Sequence, residues 1–294
     1  MTTAKGRILA TARSRARWRR ESPLVVFYAL ATLLIIGFIG FMVAQTTFGL
    51  DLWLPGLFGS LSHGTTESHR THDIVFALLI ATAAIGVLAQ LRRPAQHGAA
   101  MVMALVPLAA ILLAGVLSDG YEIMVRRNPT RLIGPMVLVT ALVHPAGRSF
   151  LRSFRAPGVS ATMLALAGAA AAPLLVLASD KLTLQGTVRD EHYALGHYGF
   201  MAAFAFTVVG IAVLASLRPD GWRLTAWVAG SLALLLGITS VAYQGSASSL
   251  GSSWALAAIG WGILFVVVAE GTRASAGTTA RRERSRRRPV VADV

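Results

Sequence analysis

The sequence predicts an all-α fold, that of a polytopic membrane protein. Hydrophobic residues make up 55% of the 294 positions and charged residues only 14%, a balance outside that of soluble globular domains. The apolar residues form runs of roughly 20 residues that are nearly free of charge, which is the length that an α-helix needs to cross a bilayer. The basic residues, by contrast, are concentrated near the two ends of the chain.

Seven runs are long enough to span the hydrocarbon on their own. They are residues 23–44, 73–91, 98–117, 160–179, 197–217, 224–243 and 253–271. An eighth candidate, RLIGPMVLVTALVHPAG at 131–147, is shorter and contains Pro135. Hydropathy alone therefore leaves the number of spans at seven or eight.

The distribution of charge predicts eight spans with both termini in the cytoplasm. Each tail carries seven Lys and Arg, and cytoplasmic segments are enriched in these residues. With eight spans, 21 of the 27 Lys and Arg lie on the cytoplasmic side. Seven spans would place the arginine-rich C-terminus outside. We therefore predict a multi-pass protein of a prokaryotic plasma membrane.

The net charge of +14 predicts contact with anionic lipid headgroups rather than with nucleic acid. More than half of the basic residues lie in two tails beside membrane spans, where lipid attraction and control of topology explain them. We predict that the basic tail at 272–294 is disordered. The chain has no cysteine, which excludes disulfides, thiolate metal sites and cysteine nucleophiles.

The second and sixth of the eight spans resemble each other and predict an internal repeat. HDIVFALLIATAAIGVLAQLRRP begins at His72 and HYGFMAAFAFTVVGIAVLASLRP at His197. We interpret 23–147 and 160–271 as two four-helix halves of parallel topology, with a cytoplasmic tail at 1–22 and a basic linker at 148–159. The eight-span topology then places five of the seven histidines on the outer side: His63, His69, His72, His192 and His197.

Four motifs resemble haem A synthases, which are eight-helix membrane proteins built of two four-helix halves. They are TTFGLDLWLPGLFG at 46–59, Glu67 followed by His69 and Arg70, LLLGITSV at 234–241, and the TRLIGPMVL entry to the fourth helix. The family's haem histidines lie on the even-numbered helices. The resemblance therefore implies a haem-binding protein with His72 and His197 as ligands and with His69, Arg70 and His192 beside them. Arg70 then faces the lipid headgroups or pairs with a haem propionate.

Two expected haem ligands of that family are missing. Gly134 and Pro135 stand where the fourth helix of the family carries its histidine, and SSWALAAIGWG at the start of the last span contains none. The resemblance therefore leaves the synthase reaction, and enzymatic activity as such, open.

The alternative hypothesis is a divalent-metal site in the first outer loop of a non-enzymatic or transport-associated protein. His69 and His72 are three residues apart, so they face the same way on a helical first turn. With Glu67 or His63 they form a mixed nitrogen and oxygen ligand set suited to Zn²⁺ or Cu²⁺. A third interpretation gives these histidines no cofactor and treats them as residues of the membrane interface.

Overall fold

A computed structural model describes residues 23–40, 69–127, 130–147 and 158–287 of the chain, with side chains up to residue 272. In these ranges the protein is helical and contains no strand. Seven of its helices are long and apolar enough to cross a membrane. The prediction of a polytopic all-α protein is confirmed at this level.

The helices are numbered in chain order. They are α1 (Pro23–Gly40), α2 (Arg70–Leu88), α3 (Gly98–Leu117), α4 (Thr130–Leu142), α5 (Ala161–Thr187), α6 (Glu191–Ala194), α7 (His197–Ser216), α8 (Trp222–Ala242) and α9 (Ser252–Arg287). A π-helical turn, Glu122–Arg126, precedes α4.

The predicted spans at 98–117 and 197–217 agree with α3 and α7 to within a residue. Helix α5 continues to Thr187, beyond the predicted end at 179. The extension follows from its sequence, because Lys, Leu and Gln in DKLTLQGT favour a helix as strongly as apolar residues do. The last residues of the first predicted span, 41–44, lie outside the described ranges.

The helix at the eighth candidate span is shorter than the hydrocarbon core of a bilayer is thick. Helix α4 has 13 residues, or about 20 Å at 1.5 Å per residue, against a hydrocarbon core of about 30 Å. It ends at Leu142 and is followed by a turn with Gly147 at a φ of +49°. The eight-span count therefore stays a prediction.

The last helix extends into the segment that we predicted to be disordered. Helix α9 ends only at Arg287, whereas the predicted boundary of the tail is residue 272. The segment after that boundary is rich in Ala and Arg, which are among the stronger helix formers. Local propensity therefore accounts for the continuation of the helix.

Helix α7 is the centre of the bundle. It packs against α2, α3, α5 and α8, and 78% of its most apolar 18-residue stretch is buried inside the protein. Its residues are apolar on all sides, as expected of a helix surrounded by others. Small residues, Ala202, Ala203 and Ala205 among them, are fully buried and allow these neighbours to approach.

Helices α8 and α9 pack through glycines. A Cβ on Gly230 would lie 2.6 Å from the carbonyl oxygen of Gly262, and a Cβ on Gly237 would lie 2.5 Å from that of Ala255. Such close backbone approach is typical of small-residue helix interfaces in membranes. The contact fixes the loop at 243–251, which joins the two helices at the end of the bundle where α2, α6 and α7 begin.

Candidate functional site

Four histidines from two distant parts of the chain meet at this end of the bundle. We call His69, His72, His192 and His197 the histidine cluster. His69 precedes α2, His72 lies in its first turn, His192 lies in α6 and His197 begins α7. The ring centroids are 4.5 Å apart for His69 and His192, 5.0 Å for His72 and His192, and 4.8 Å for His72 and His197.

The turn between α6 and α7 brings the two later histidines together. Gly196 has a φ of +74°, a conformation that glycine adopts without steric cost, and an added Cβ would lie 3.2 Å from Ile123. Asp190 caps α6, because its Oδ1 accepts the backbone N–H of Tyr193 at 2.8 Å. These features direct His192 back towards the start of α7.

Three of the four side chains have nitrogens close enough to hold a single ion. One ring nitrogen from each of His69, His192 and His197 lies within 4.8 Å of the other two. His69 and His197 are buried, and the side chain of His192 is 15% exposed. The Nε2 of His192 is itself buried and makes no hydrogen bond within the described part of the chain. Neutral imidazole nitrogens in such a group are suited to zinc, copper or nickel.

The fourth histidine lies against this group. His72 stacks on His197 with an interplanar angle of 17°. Its Nε2 is 2.6 Å from the Oγ of Ser248, a buried residue of the 243–251 loop. The loop therefore fixes the orientation of the His72 ring.

Two adjacent carboxylates face two of the clustered imidazoles. The Oδ2 of Asp190 lies 3.6 Å from the Nδ1 of His192 and accepts the hydroxyl of Tyr198 at 2.8 Å. The Oε2 of Glu191 lies 3.9 Å from the Nε2 of His69, and the side chain of Glu191 is 64% exposed. Burial would raise the pKa of Asp190, but the hydrogen bonds from Tyr193 and Tyr198 and the charge of His192 together lower it. Asp190 is therefore an ionised carboxylate.

Of the predicted cofactor residues, the structure brings together His69, His72, His192 and His197 but not Arg70. The guanidinium of Arg70 is exposed and lies 5.5 Å from the ring centroid of Tyr243. The predicted metal set of His69, His72 and Glu67 differs from the group described here, in which His192 and His197 join His69. Glu67 and His63 lie outside the described residues.

Two side chains near the cluster, Tyr198 and Lys181, were not predicted from the sequence. Tyr198 stacks on His192 at 5.5 Å, and Lys181, whose side chain is only 10% exposed, lies 5.9 Å from the Tyr198 ring. One signal in the sequence pointed to Asp190: an acid stands two residues before a clustered histidine in both loops, as Glu67 before His69 and Asp190 before His192.

The other two histidines that the structure describes, His97 and His144, lie at the opposite end of the bundle, where they have different surroundings. The Nε2 of His144 donates to the Oε1 of Gln90 at 3.0 Å, and its Nδ1 accepts the backbone N–H of Ala146 at 3.2 Å. Gln90 in turn donates to the carbonyl oxygens of Gly86 and His97. These groups hold helix ends together and do not form a metal-binding set.

Comparison with protein-family models, with curated proteins and with solved structures gives no match for this chain. The resemblance to haem A synthases accordingly stays a prediction from the sequence.

Proposed function

We propose that this chain is a multi-pass membrane protein that binds a divalent transition-metal ion, with His69, His192 and His197 as its ligands. One observation carries the proposal: the three ligand nitrogens lie within 4.8 Å of one another. In a tetrahedral site the ligand nitrogens are each about 2.0–2.1 Å from the metal. Small rotations of the three rings are therefore sufficient to bind an ion.

The donor set favours particular metals. Three neutral imidazoles suit Zn²⁺, Cu²⁺ and Ni²⁺, whereas Mg²⁺ and Ca²⁺ prefer oxygen ligands. Three protein ligands leave a position for a fourth, and His72 is the nearest further imidazole. No reaction is assigned, because a binding role in a transport-associated protein requires only the ion and its ligands.

The charge distribution supports a finer topology. We infer eight spans in two four-helix halves, with both basic tails in the cytoplasm and the histidine cluster on the outer side of a prokaryotic plasma membrane. The first-turn positions of His72 and His197 in α2 and α7 support the repeat.

Haem is a second candidate, because the two histidines that the resemblance implies as ligands, His72 and His197, lie side by side. Their rings stack face to face at 4.8 Å, whereas a haem iron bound by both imidazoles needs them opposed across it. Haem binding by this pair therefore requires the rings to separate. The haem hypothesis predicts that His72→Ala and His197→Ala each reduce bound haem.

A metal titration tests the proposal. Wild-type protein purified in detergent is stripped with a chelator and dialysed against Zn²⁺, Cu²⁺ or Ni²⁺, and bound metal is measured by mass spectrometry. One ion per chain is expected, with none in the variant that combines His69→Ala, His192→Ala and His197→Ala. His97→Ala, at the opposite end, is the matched control and should bind like the wild type. Equal binding by the triple variant would refute the metal site.

A visible spectrum of the protein as isolated separates the two candidates. A Soret band that is lost in the His72→Ala, His197→Ala double variant supports haem. Metal binding by protein without that band supports the metal site.

A further inference from the structure

At the histidine cluster, hydrogen bonds hold the carboxylate of Asp190 in place. Its Oδ1 accepts the N–H of Tyr193 at 2.8 Å and its Oδ2 accepts the hydroxyl of Tyr198 at 2.8 Å. One bond comes from Tyr193, which follows His192 in α6, and the other from Tyr198 in the first turn of α7. The carboxylate therefore keeps a fixed position relative to that imidazole.

The two nitrogens of His192 have different surroundings. Its Nδ1 faces Asp190 at 3.6 Å, slightly too long for a hydrogen bond. Its Nε2 is buried and has no hydrogen bond within the described part of the chain. Metal-binding histidines almost always donate the N–H of the second ring nitrogen to a carboxylate, carbonyl or water, which fixes the tautomer and the ring orientation.

From this geometry we infer that Asp190 is a positioning residue of the metal site: it holds His192 with its Nδ1–H towards the carboxylate and its Nε2 towards the ion. The inference rests on the proposed metal-binding function and deepens it. Tyr198 supports the same arrangement twice, because its ring stacks on His192 with an interplanar angle of 27° and its hydroxyl holds Oδ2.

Glu191 provides a matched comparison on the neighbouring residue. It faces His69 at 3.9 Å, its side chain is 64% exposed, and no hydrogen bond from a described residue holds its carboxylate. Exposed charges at such distances interact weakly. Asp190 should therefore influence metal affinity, whereas Glu191 should influence it little.

The capping role of Asp190 must be separated from the positioning role. Asp190→Asn and Asp190→Ser both keep an oxygen that can cap α6, since Asn, Ser and Asp are about equally good N-cap residues. Neither keeps the negative oxygen that faces His192. A loss of metal affinity in both variants, with unchanged thermal stability of the metal-free protein, is therefore not explained by the cap.

The test measures Zn²⁺ affinity of the full chain by competition with a chromogenic chelator. Asp190→Asn and Asp190→Ser should weaken binding by about tenfold, the lower end of the range for such outer partners, because the Asp190 side chain is 40% exposed. Tyr198→Phe should weaken binding less. Glu191→Gln and Tyr193→Phe should bind like the wild type. The Cu²⁺-loaded Asp190→Asn protein should also show an altered electron paramagnetic resonance spectrum.

Two negative results have different meanings. If wild-type protein binds Zn²⁺ and both Asp190 variants bind it equally well, Asp190 is only a helix cap and the inference is overturned while the metal site stands. If wild-type protein binds none of the three ions, the proposed function fails and the inference fails with it.

Discussion

The two ends of this bundle both bury histidine, but they use it differently. At the opposite end His144 bonds through both ring nitrogens, to Gln90 and to the backbone of Ala146. At the histidine end the imidazoles contact mainly one another, and the buried Nε2 of His192 has no hydrogen bond within the described residues. Buried polar groups are normally hydrogen-bonded. This exception supports the proposed metal site at the histidine end, whereas the hydrogen-bonded ring of His144 has a structural role at the other.

The comparison also shows why residue type alone is a poor guide to a site. His144 is as deeply buried as His197, at 6% exposure each. What distinguishes them is the chemistry of their neighbours. Amide and backbone groups form hydrogen bonds with the His144 ring, whereas other imidazole rings lie against His197.

The largest expected effect comes from removing one histidine at each end in separate variants. His192→Ala deletes a proposed ligand and should weaken Zn²⁺ binding by more than the 10–100-fold that loss of an outer partner typically causes. His144→Ala should leave the Zn²⁺ dissociation constant unchanged. Equal losses of affinity in the two variants would show that the ends do not differ in the way proposed. The measurement is the same chelator competition.

Metal should stabilise the fold only through the histidine end. An ion that binds the native state alone, present at 100 times its dissociation constant, adds about 2.7 kcal/mol to the free energy of unfolding. We expect Zn²⁺ to raise the thermal unfolding temperature of the wild type and of the Gln90→Leu variant. It should not raise that of the double variant His69→Ala, His192→Ala. Circular dichroism of detergent-solubilised protein measures it. A rise in the double variant would place the ion elsewhere.

The helical class and most helix positions could be predicted from the sequence, because long apolar runs have few alternatives in a bilayer. Helix α3 was predicted without error. The ends of α5 and α9 were not, since hydropathy marks where a chain leaves the hydrocarbon and not where its helix ends. DKLTLQGT continues α5 on helix propensity alone.

The candidate site could be predicted only in part. The repeat-like positions of His72 and His197 singled them out, but their face-to-face contact depends on how α2 packs against α7. The link from His192 to Asp190 and Tyr198 depends on the turn at Gly196 and on the N-cap of α6. Such local geometry is a property of the folded chain. In the sequence it is indicated by the acid that stands two residues before His69 and before His192.

A smaller effect is expected from the hydrogen-bond network at the opposite end. Gln90→Leu removes the acceptor of His144 Nε2–H in a buried position, and leaving such a donor unpaired costs about 1–3 kcal/mol. Gln96→Leu, on the exposed turn nearby, is the control and should be neutral. Thermal unfolding reports both changes. If Gln90→Leu lowers Zn²⁺ affinity as well, the two ends are coupled and cannot be compared as independent regions.

The smallest expected effect is the pH dependence of stability at His144, which lies in the turn after α4. Burial lowers the pKa of His144 below the usual 6.5, because removal from water disfavours the protonated, charged form of the ring. The unfolded chain therefore takes up this proton first as pH falls, so the contribution of His144 is complete above 6.5 and is lost below it. Between pH about 7.5 and about 5.5, the unfolding temperature of the wild type should fall further than that of His144→Gln, which has no titratable ring. The histidine cluster is the same in both proteins, so its effect cancels in the difference. Parallel curves for the two proteins would show that His144 takes up its proton as readily in the folded chain as in the unfolded chain, and would contradict the lowered pKa.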